Sequence, residues 1–367
     1  MALRTPLILN QATARVEELA VGDLVPGGLI DGMFGRNIVI NGDFRFWQRG
    51  QSFNAIANAT YTADRFIPVI VNDTITVNRA EHPPGDVPNL FNSRYFMRCG
   101  IEQVAGNSSL ATLQYRVENG HRLLSGKNIT VSMLVRASSA TKLGIEIEIT
   151  YGTGGSPSPP INGNNTLVTG ITGGWQLITR TFTIASSEGK TFGTSTDGYL
   201  SLILWMDAGS DWDARAAGVG RQAGEFQFSN IQIEVGNGAT PFEQRPDALE
   251  LVLCQRYYEK SYNLDVLPGT ATRDGCYNSG ALTSYLLHAP VVRFSQRKRN
   301  TPAITLYNTQ DGSAGQLSEN AQNGLHVTNK PAAADRIGSM SFEASVPNGT
   351  ATPGNVERFH WVADAEI

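Results

Sequence analysis

NIVINGDFRFWQRG, Asn37 to Gly50, sets a β-branched run (Ile38, Val39, Ile40) against a break at Asn41-Gly42-Asp43. β-branched residues favour extended backbone, while Asn, Gly and Asp supply the positive φ angles and side-chain-to-backbone bonds of a turn. Alternation resumes beyond the turn, so a strand here places Phe44, Phe46 and Gln48 on one face and Arg45, Trp47 and Arg49 on the other. Strand, turn and strand in so short a stretch is the pattern of an antiparallel sheet.

That pattern continues downstream. TITVNRA, SRYFMRCGIEQ, ATLQYRVE, KNITVSMLVRAS, KLGIEIEITYG, WQLITRTFTIA, YLSLILWMDA and FQFSNIQIEVG each set β-branched or aromatic residues between turn clusters. In GIEIEITYG the alternation is strict: Ile145, Ile147 and Ile149 face one way, Glu146, Glu148 and Thr150 the other. Such a strand has one wet face, which makes the two glutamates a solvent row rather than a catalytic pair converging on a substrate. YGTGGSPSPPINGNNTL is too rich in Gly, Pro, Ser and Asn for regular structure and reads as a loop. Near Pro246 the period changes. Leu249, Val252, Leu253, Arg256 and Tyr257 recur at helical spacing, predicting an amphipathic helix to Lys260, and a second, shorter set of strands follows.

Composition agrees with an all-β chain. The 367 residues hold 38 glycines and 17 prolines with only 17% charged residues, and the length suits two domains. The reading is an antiparallel jelly-roll β-sandwich (residues 36–245), a linking helix (246–260) and a second, smaller β-sandwich (261–367), preceded by an extended arm (1–35). In the arm TPLILN reads as a strand and TARVEELA as a short helix. Leu7, Leu9, Val16 and Leu19 are too apolar for free solution and too few for a core, which marks them for assembly, here a homotrimer. Tyr257 and Tyr258 point to opposite sides of their segment and are the second candidate assembly contact.

The chemistry-bearing residues are sparse. A net charge of −4 gives no footprint for nucleic acid, and the one basic run, Arg297-Lys298-Arg299, reads as a solvated turn. No segment has the ~20 apolar residues of a membrane helix, and the start lacks a signal-peptide core. Cys99, Cys254 and Cys276 are odd in number without a CxxC, and the five histidines fall singly, so neither disulfides, a metal site nor a cofactor is indicated. Nucleophile-elbow, phosphate-loop and dinucleotide motifs are missing. Trp175, at the start of a strand, reads as core. Trp212 sits between Asp211 and Asp213 in a polar loop; there it either offers a sugar platform or folds back under its own loop.

Taken together, NIVINGDFRFWQRG, WQLITRTFTI and above all FSNIQIEVGNGATPFEQRPDALELVLCQRYYEK resemble tail-fibre and other virion proteins of tailed bacteriophages that carry a jelly-roll related to carbohydrate-binding modules. LRTPLILN and ADAEI are similar to the first and last segments of that class. The resemblance implies a non-enzymatic virion structural protein, made in the host cytoplasm. It would be a tail fibre or baseplate-attached receptor-binding subunit, partnered by itself, other virion proteins and a host-surface glycan held at Trp212, Asp211 and Asp213. A head fibre, or a depolymerase using Asp211, Asp213 or Glu225 as acids, are the alternatives. Related jelly-rolls continue NGDF with a calcium-binding Glu; Arg45 stands there instead and supplies no oxygen to a cation.

Overall fold

A computed structural model describes residues 35–86, 93–103, 106–281, 287–288, 291–346 and 352–367, and the backbone of 7–10 and 15–18. In the arm, β1 (Leu7–Asn10) pairs antiparallel with β2 (Arg15–Glu18), Leu9 opposite Val16. Where a short helix is expected over TARVEELA, the described part, Arg15–Glu18, is therefore a strand, paired in a hairpin with β1. Leu19 lies outside the described residues.

The body begins with β3 (Ser52–Phe53), β4 (Phe66–Val71), β5 (Thr74–Glu81), β6 (Tyr95–Glu102) and β7 (Leu110–Glu118). A helical turn α1 (Gly120–Leu123) leads to β8 (Asn128–Ala137), β9 (Lys142–Thr150), β10 (Ile161–Thr169), β11 (Gln176–Thr183), β12 (Tyr199–Ala208) and β13 (Gly224–Val235). They form two antiparallel sheets, ordered β10-β9-β12-β7-β4 and β11-β8-β13-β6-β5-β3. Ile145, Ile147 and Ile149 face Val131, Met133, Phe226 and Phe228 across the core between them. This is an antiparallel β-sandwich.

Several expectations are corrected here. The stretch after Asn41-Gly42-Asp43 is a compact turn, not a strand: Asn41 (φ 62°) and Phe44 (φ 56°) are left-handed, and the Asn41 side chain binds Phe46 at both its N–H (2.9 Å) and its carbonyl (2.8 Å). Trp47 is consequently buried in the core, its Nε1 donating to the Phe44 carbonyl at 2.7 Å, while Arg45 and Arg49 point elsewhere. Gly42 is required because a Cβ would stand 2.1 Å from the Ile231 carbonyl oxygen. The loop expected over 151–167 contains β10, a polar edge strand held by the main chain of β9. The glutamate row is not wet either. Glu146 is 0% exposed; it accepts from Trp205 Nε1 (2.9 Å) and the Gly163 N–H (2.7 Å) and pairs with Arg215 (2.9 Å) under the loop that follows β12.

The predicted helix ends early. α2 spans Asp247–Gln255 and gives way to β14 (Tyr258–Lys260). It buries Glu250 and Cys254, not the apolar stripe: Leu249 and Val252 are exposed. Glu250 accepts from the Asn41 N–H and pairs with Arg245 at 3.1 Å, which satisfies both charges inside the corner.

Beyond α2 lie β15 (Tyr277–Ala281), β16 (Leu287–His288), β17 (Val292–Arg293), β18 (Ala303–Asn308), β19 (Gln316–Asn320), β20 (His326–Pro331), β21 (Ala333–Asp335), β22 (Ser341–Ser345) and β23 (Val356–Asp364). β23 is central: β14 and β15 pair along one edge, β18 and β19 along the other. Phe342, Leu306, Phe359 and Trp361 form a second core against the small sheet β17-β22-β21.

The two cores meet at a polar seam. The Arg49 guanidinium lies 3.7 Å from the centre of the Tyr258 ring and that of Arg65 3.5 Å from Tyr257. Glu366 bonds to both arginines, and Asp364 pairs with Arg49 at 3.0 Å. Tyr257 and Tyr258 are each 4% exposed within the single chain, because cation–π contacts at the seam cover both rings. The basic run is not solvated as a whole. Lys298 is buried against Glu259, and Arg299 donates to the carbonyls of Ala365 (3.0 Å) and Thr196 (2.9 Å).

Candidate functional site

Trp212, Asp211 and Asp213 lie at the end of the five-stranded sheet where β12 leaves Ala208. The Trp212 ring leans on Trp205 (5.8 Å between centres) and its Nε1 donates to the Ser108 carbonyl at 2.9 Å. Of the two readings this is folding back: the polar edge of the indole is spent and one face is covered. Asp211 and Asp213 stand exposed beside it. Glu225 lies on the other sheet, ion-paired to Arg98 at 2.6 Å. The three acids do not converge.

Trp175 is half-buried on the outer face of the six-stranded sheet, not in the core. Its Nε1 donates to Asp86 (2.9 Å), and its ring packs, tilted, against His82 and under the Arg136 guanidinium. There His82 stands between Asp86 (3.5 Å) and Ser229 Oγ (3.3 Å), in the order of a nucleophilic triad. The contacts are long, Ser229 is 0% exposed, and its hydroxyl also reaches the Tyr95 carbonyl at 3.3 Å, so the trio is a buried hydrogen-bond chain.

The opposite end of the five-stranded sheet carries a different feature. There β7 ends at Glu118, β9 at Thr150, and β12 begins at Tyr199, these three residues being paired across the sheet. The connections leaving them enclose a cavity of about 310 Å³ lined by Asn119, His121, Arg122, Tyr151, Phe192 and residues 193–196 and 198. That volume sits at the lower end of small-molecule sites. Phe192 packs against His121 (5.3 Å) and Tyr151 (5.9 Å), and the Arg122 guanidinium lies 3.8 Å over its ring. Gly198 allows this packing, since a Cβ there would lie 2.5 Å from the His121 ring.

Two polar groups in this cavity are unspent. Tyr151 is 1% exposed and its hydroxyl has no hydrogen-bond partner. A buried hydroxyl left so costs roughly 1–3 kcal/mol, and it is the kind of group a ligand completes. His121 is buried as well. Arg122 Nε donates to its Nε2 at 3.3 Å, which assigns the ring proton to Nδ1, and Nδ1 meets no acceptor in hydrogen-bonding geometry. Burial, and then the Arg122 charge, push the His121 pKa below its ordinary value, although the Gly198 carbonyl nearby pulls the other way; the ring is a neutral donor. Asp197, on the same connection, is turned to Thr153, whose N–H (2.9 Å) and hydroxyl (2.6 Å) it accepts. Sequence offered no signal here: His121, Tyr151 and Phe192 are isolated residues brought together by three separate connections.

No known protein family matches the chain in sequence, and no curated protein does. In structure it is similar to the enzymatically active domain of tailspike protein 4 of bacteriophage CBA120, with 10% identity, TM-score 0.32, and 55% of this chain aligned to 22% of that one. The chain thus spans about a fifth of the length of that domain. It is also similar to the family 11 carbohydrate-binding module of a Clostridium thermocellum cellulase, with 10% identity and TM-score 0.30, covering 51% of this chain and 97% of the module. A xylan-binding domain from Paenibacillus barcinonensis aligns at 8% identity and TM-score 0.27, over 52% of this chain and 99% of that one. At these scores the likenesses say nothing of activity, and the β-sandwich rests on the sheets themselves.

Proposed function

We propose that this chain is a non-enzymatic surface subunit of a tailed-phage virion, a tail fibre or baseplate-attached receptor-binding protein, which holds a host-surface glycan in the cavity between α1, Tyr151 and residues 192–198. The virion assignment is supported by the sequence resemblance centred on Ile231 to Tyr258. The observation that carries glycan binding is the cavity: an aromatic wall beside a buried, unpartnered Tyr151 hydroxyl. A sugar ring presents an apolar face to an aromatic and hydroxyls to polar groups, so both halves of the cavity have a counterpart. At Trp212 one face of the ring is already taken by Trp205. Homotrimeric assembly through the arm belongs to the same proposal, since several weak sites held together bind far more tightly than one.

Tyr151→Phe tests it. Removing an unpartnered hydroxyl leaves the free protein as stable or more so, while the same change weakens binding of host lipopolysaccharide or capsule fragments in isothermal titration. Phe192→Ala costs a stacking contact, about 3- to 10-fold in affinity. If Tyr151→Phe and Phe192→Ala both adsorb to host cells as wild type does, while Trp212→Ala does not, the cavity is the wrong site.

A further inference from the structure

The core face of β19, β20 and β23 carries three ionisable side chains that the proposed glycan site does not use. Leu317 and Phe359 belong to the second core, so Glu319 and Glu357, each two residues away along its strand, point the same way and stand opposite one another in the sheet. Lys330 pairs opposite Leu317, which places it diagonal to Glu319 on that face. All three are buried. Lys330 Nζ is in direct contact with Glu319 Oε2, Asn355 Nδ2 donates to Glu319 Oε1, and neither oxygen of Glu357 has a hydrogen-bond partner.

An ion pair held so far from water is a poor end state, because desolvating both charges offsets most of their attraction. Moving one proton from ammonium to carboxylate leaves a neutral amine against a carboxylic acid. Burial favours that form of Lys330 by lowering its pKa, although the Glu357 charge opposes this. We infer that Lys330 and Glu319 join in an intramolecular amide, a covalent strap between β20 and β19. The Nζ lone pair attacks Glu319 Cδ, and the carbonyl electrons move onto Oε1, where the Asn355 amide N–H stabilises them. The C=O re-forms as the Cδ–Oε2 bond breaks. Glu357 gives its proton to the departing hydroxyl and takes one from Nζ, so one water leaves and no other reagent is consumed. Burial pushes the Glu357 pKa up to about 7, which keeps it protonated below neutrality. The strap fastens the outer edge of the seven-stranded sheet, where β20 pairs with β19 alone among the described residues.

Intact mass of the purified, denatured full chain reads the bond. The wild type is expected one water lighter than its sequence. After a chymotryptic cut at Leu325, between β19 and β20, the fragments holding Glu319 and Lys330 are expected to stay joined. Lys330→Arg keeps a cation in place but supplies no amine that can be acylated, and its full sequence mass is expected. Glu357→Gln keeps the shape and is expected to slow appearance of the bond after refolding about 100-fold. Wild type at its full sequence mass after refolding at neutral pH overturns the inference. So does a missing water that persists in Lys330→Arg, since it then comes from elsewhere, such as cyclisation at Asp274-Gly275. Bond formation as fast in Glu357→Gln as in wild type overturns the proton route.

Discussion

Arg65→Met probes the seam directly. Arg65 is buried, with its guanidinium on the Tyr257 ring, one nitrogen on Glu366 and another 2.7 Å from the Arg116 carbonyl. Breaking a buried pair by removing one partner costs about 3–5 kcal/mol, mostly because the other charge is stranded. Here the stranding is partial, since Glu366 keeps Arg49 at 3.4 Å. The lower end therefore applies, and we expect a loss of about 3 kcal/mol, with Met filling much of the volume over Tyr257. Arg65→Lys keeps the charge but not the planar stack or the fork, and should cost about half as much. Urea unfolding followed by tryptophan fluorescence reads the change; for a slope of about 3 kcal/mol per molar, the midpoint falls by roughly 1 M. A double-mutant cycle with Glu366→Gln should return a coupling of about 1–2 kcal/mol. If Arg65→Met costs under ~0.5 kcal/mol, or its effect simply adds to that of Glu366→Gln, the ion pair contributes nothing and the reasoning fails.

Glu357 is buried opposite Glu319 on β19, both its carboxylate oxygens without a partner, and burial pushes its pKa up to about 7 despite the nearby Lys330 charge. The folded state thus holds a proton that the unfolded state releases near pH 4.5. The stability this gives is complete below that pH and is lost as pH rises to about 7, so Glu357→Gln should gain about 3 kcal/mol relative to wild type across that window in denaturation at stepped pH; a pH-independent difference would contradict it. A chain beginning at Arg36 should be monomeric by light scattering and fail to enter particles, whereas a trimer that still incorporates would show that the arm serves neither purpose.

The strands legible in the sequence were those whose own side chains alternate, such as β9 and β12, because each carries its half of the core. β10 was hidden since its residues are mostly polar; as an edge strand it is held by β9's main chain, and only Val168 is buried. Glu146 and Glu148 read as wet because nothing in GIEIEITYG announces Arg215, which reaches back from the loop beyond β12. Arg45, Trp47 and Arg49 were grouped by a period of two that the left-handed Phe44 interrupts. At the site, Trp212 was conspicuous as an exposed aromatic between two acids, yet its indole N–H is satisfied. Tyr151 matters because its hydroxyl is unsatisfied, and satisfaction is a property of the folded neighbourhood that no local pattern reveals.

The corner built by Glu243, Arg245 and Glu250 also sets how the protein bears load. Glu243 holds the N–H groups of Gly35 and Asn37, Arg245 the carbonyls of Asn37 and Val39, and Glu250 the N–H of Asn41. A pull applied at Gly35 is taken up by this clamp, passes along Arg45 to Asp247 on α2, and crosses through Gln48 and Arg49 to Tyr258 and Asp364 on the central sheet beyond. The same segment is tied to β13, the Ile38 N–H on the Ile233 carbonyl and the Ile231 N–H on the Gly42 carbonyl, so the clamp's polar contacts and these main-chain bonds must fail together before Gly35 is pulled free.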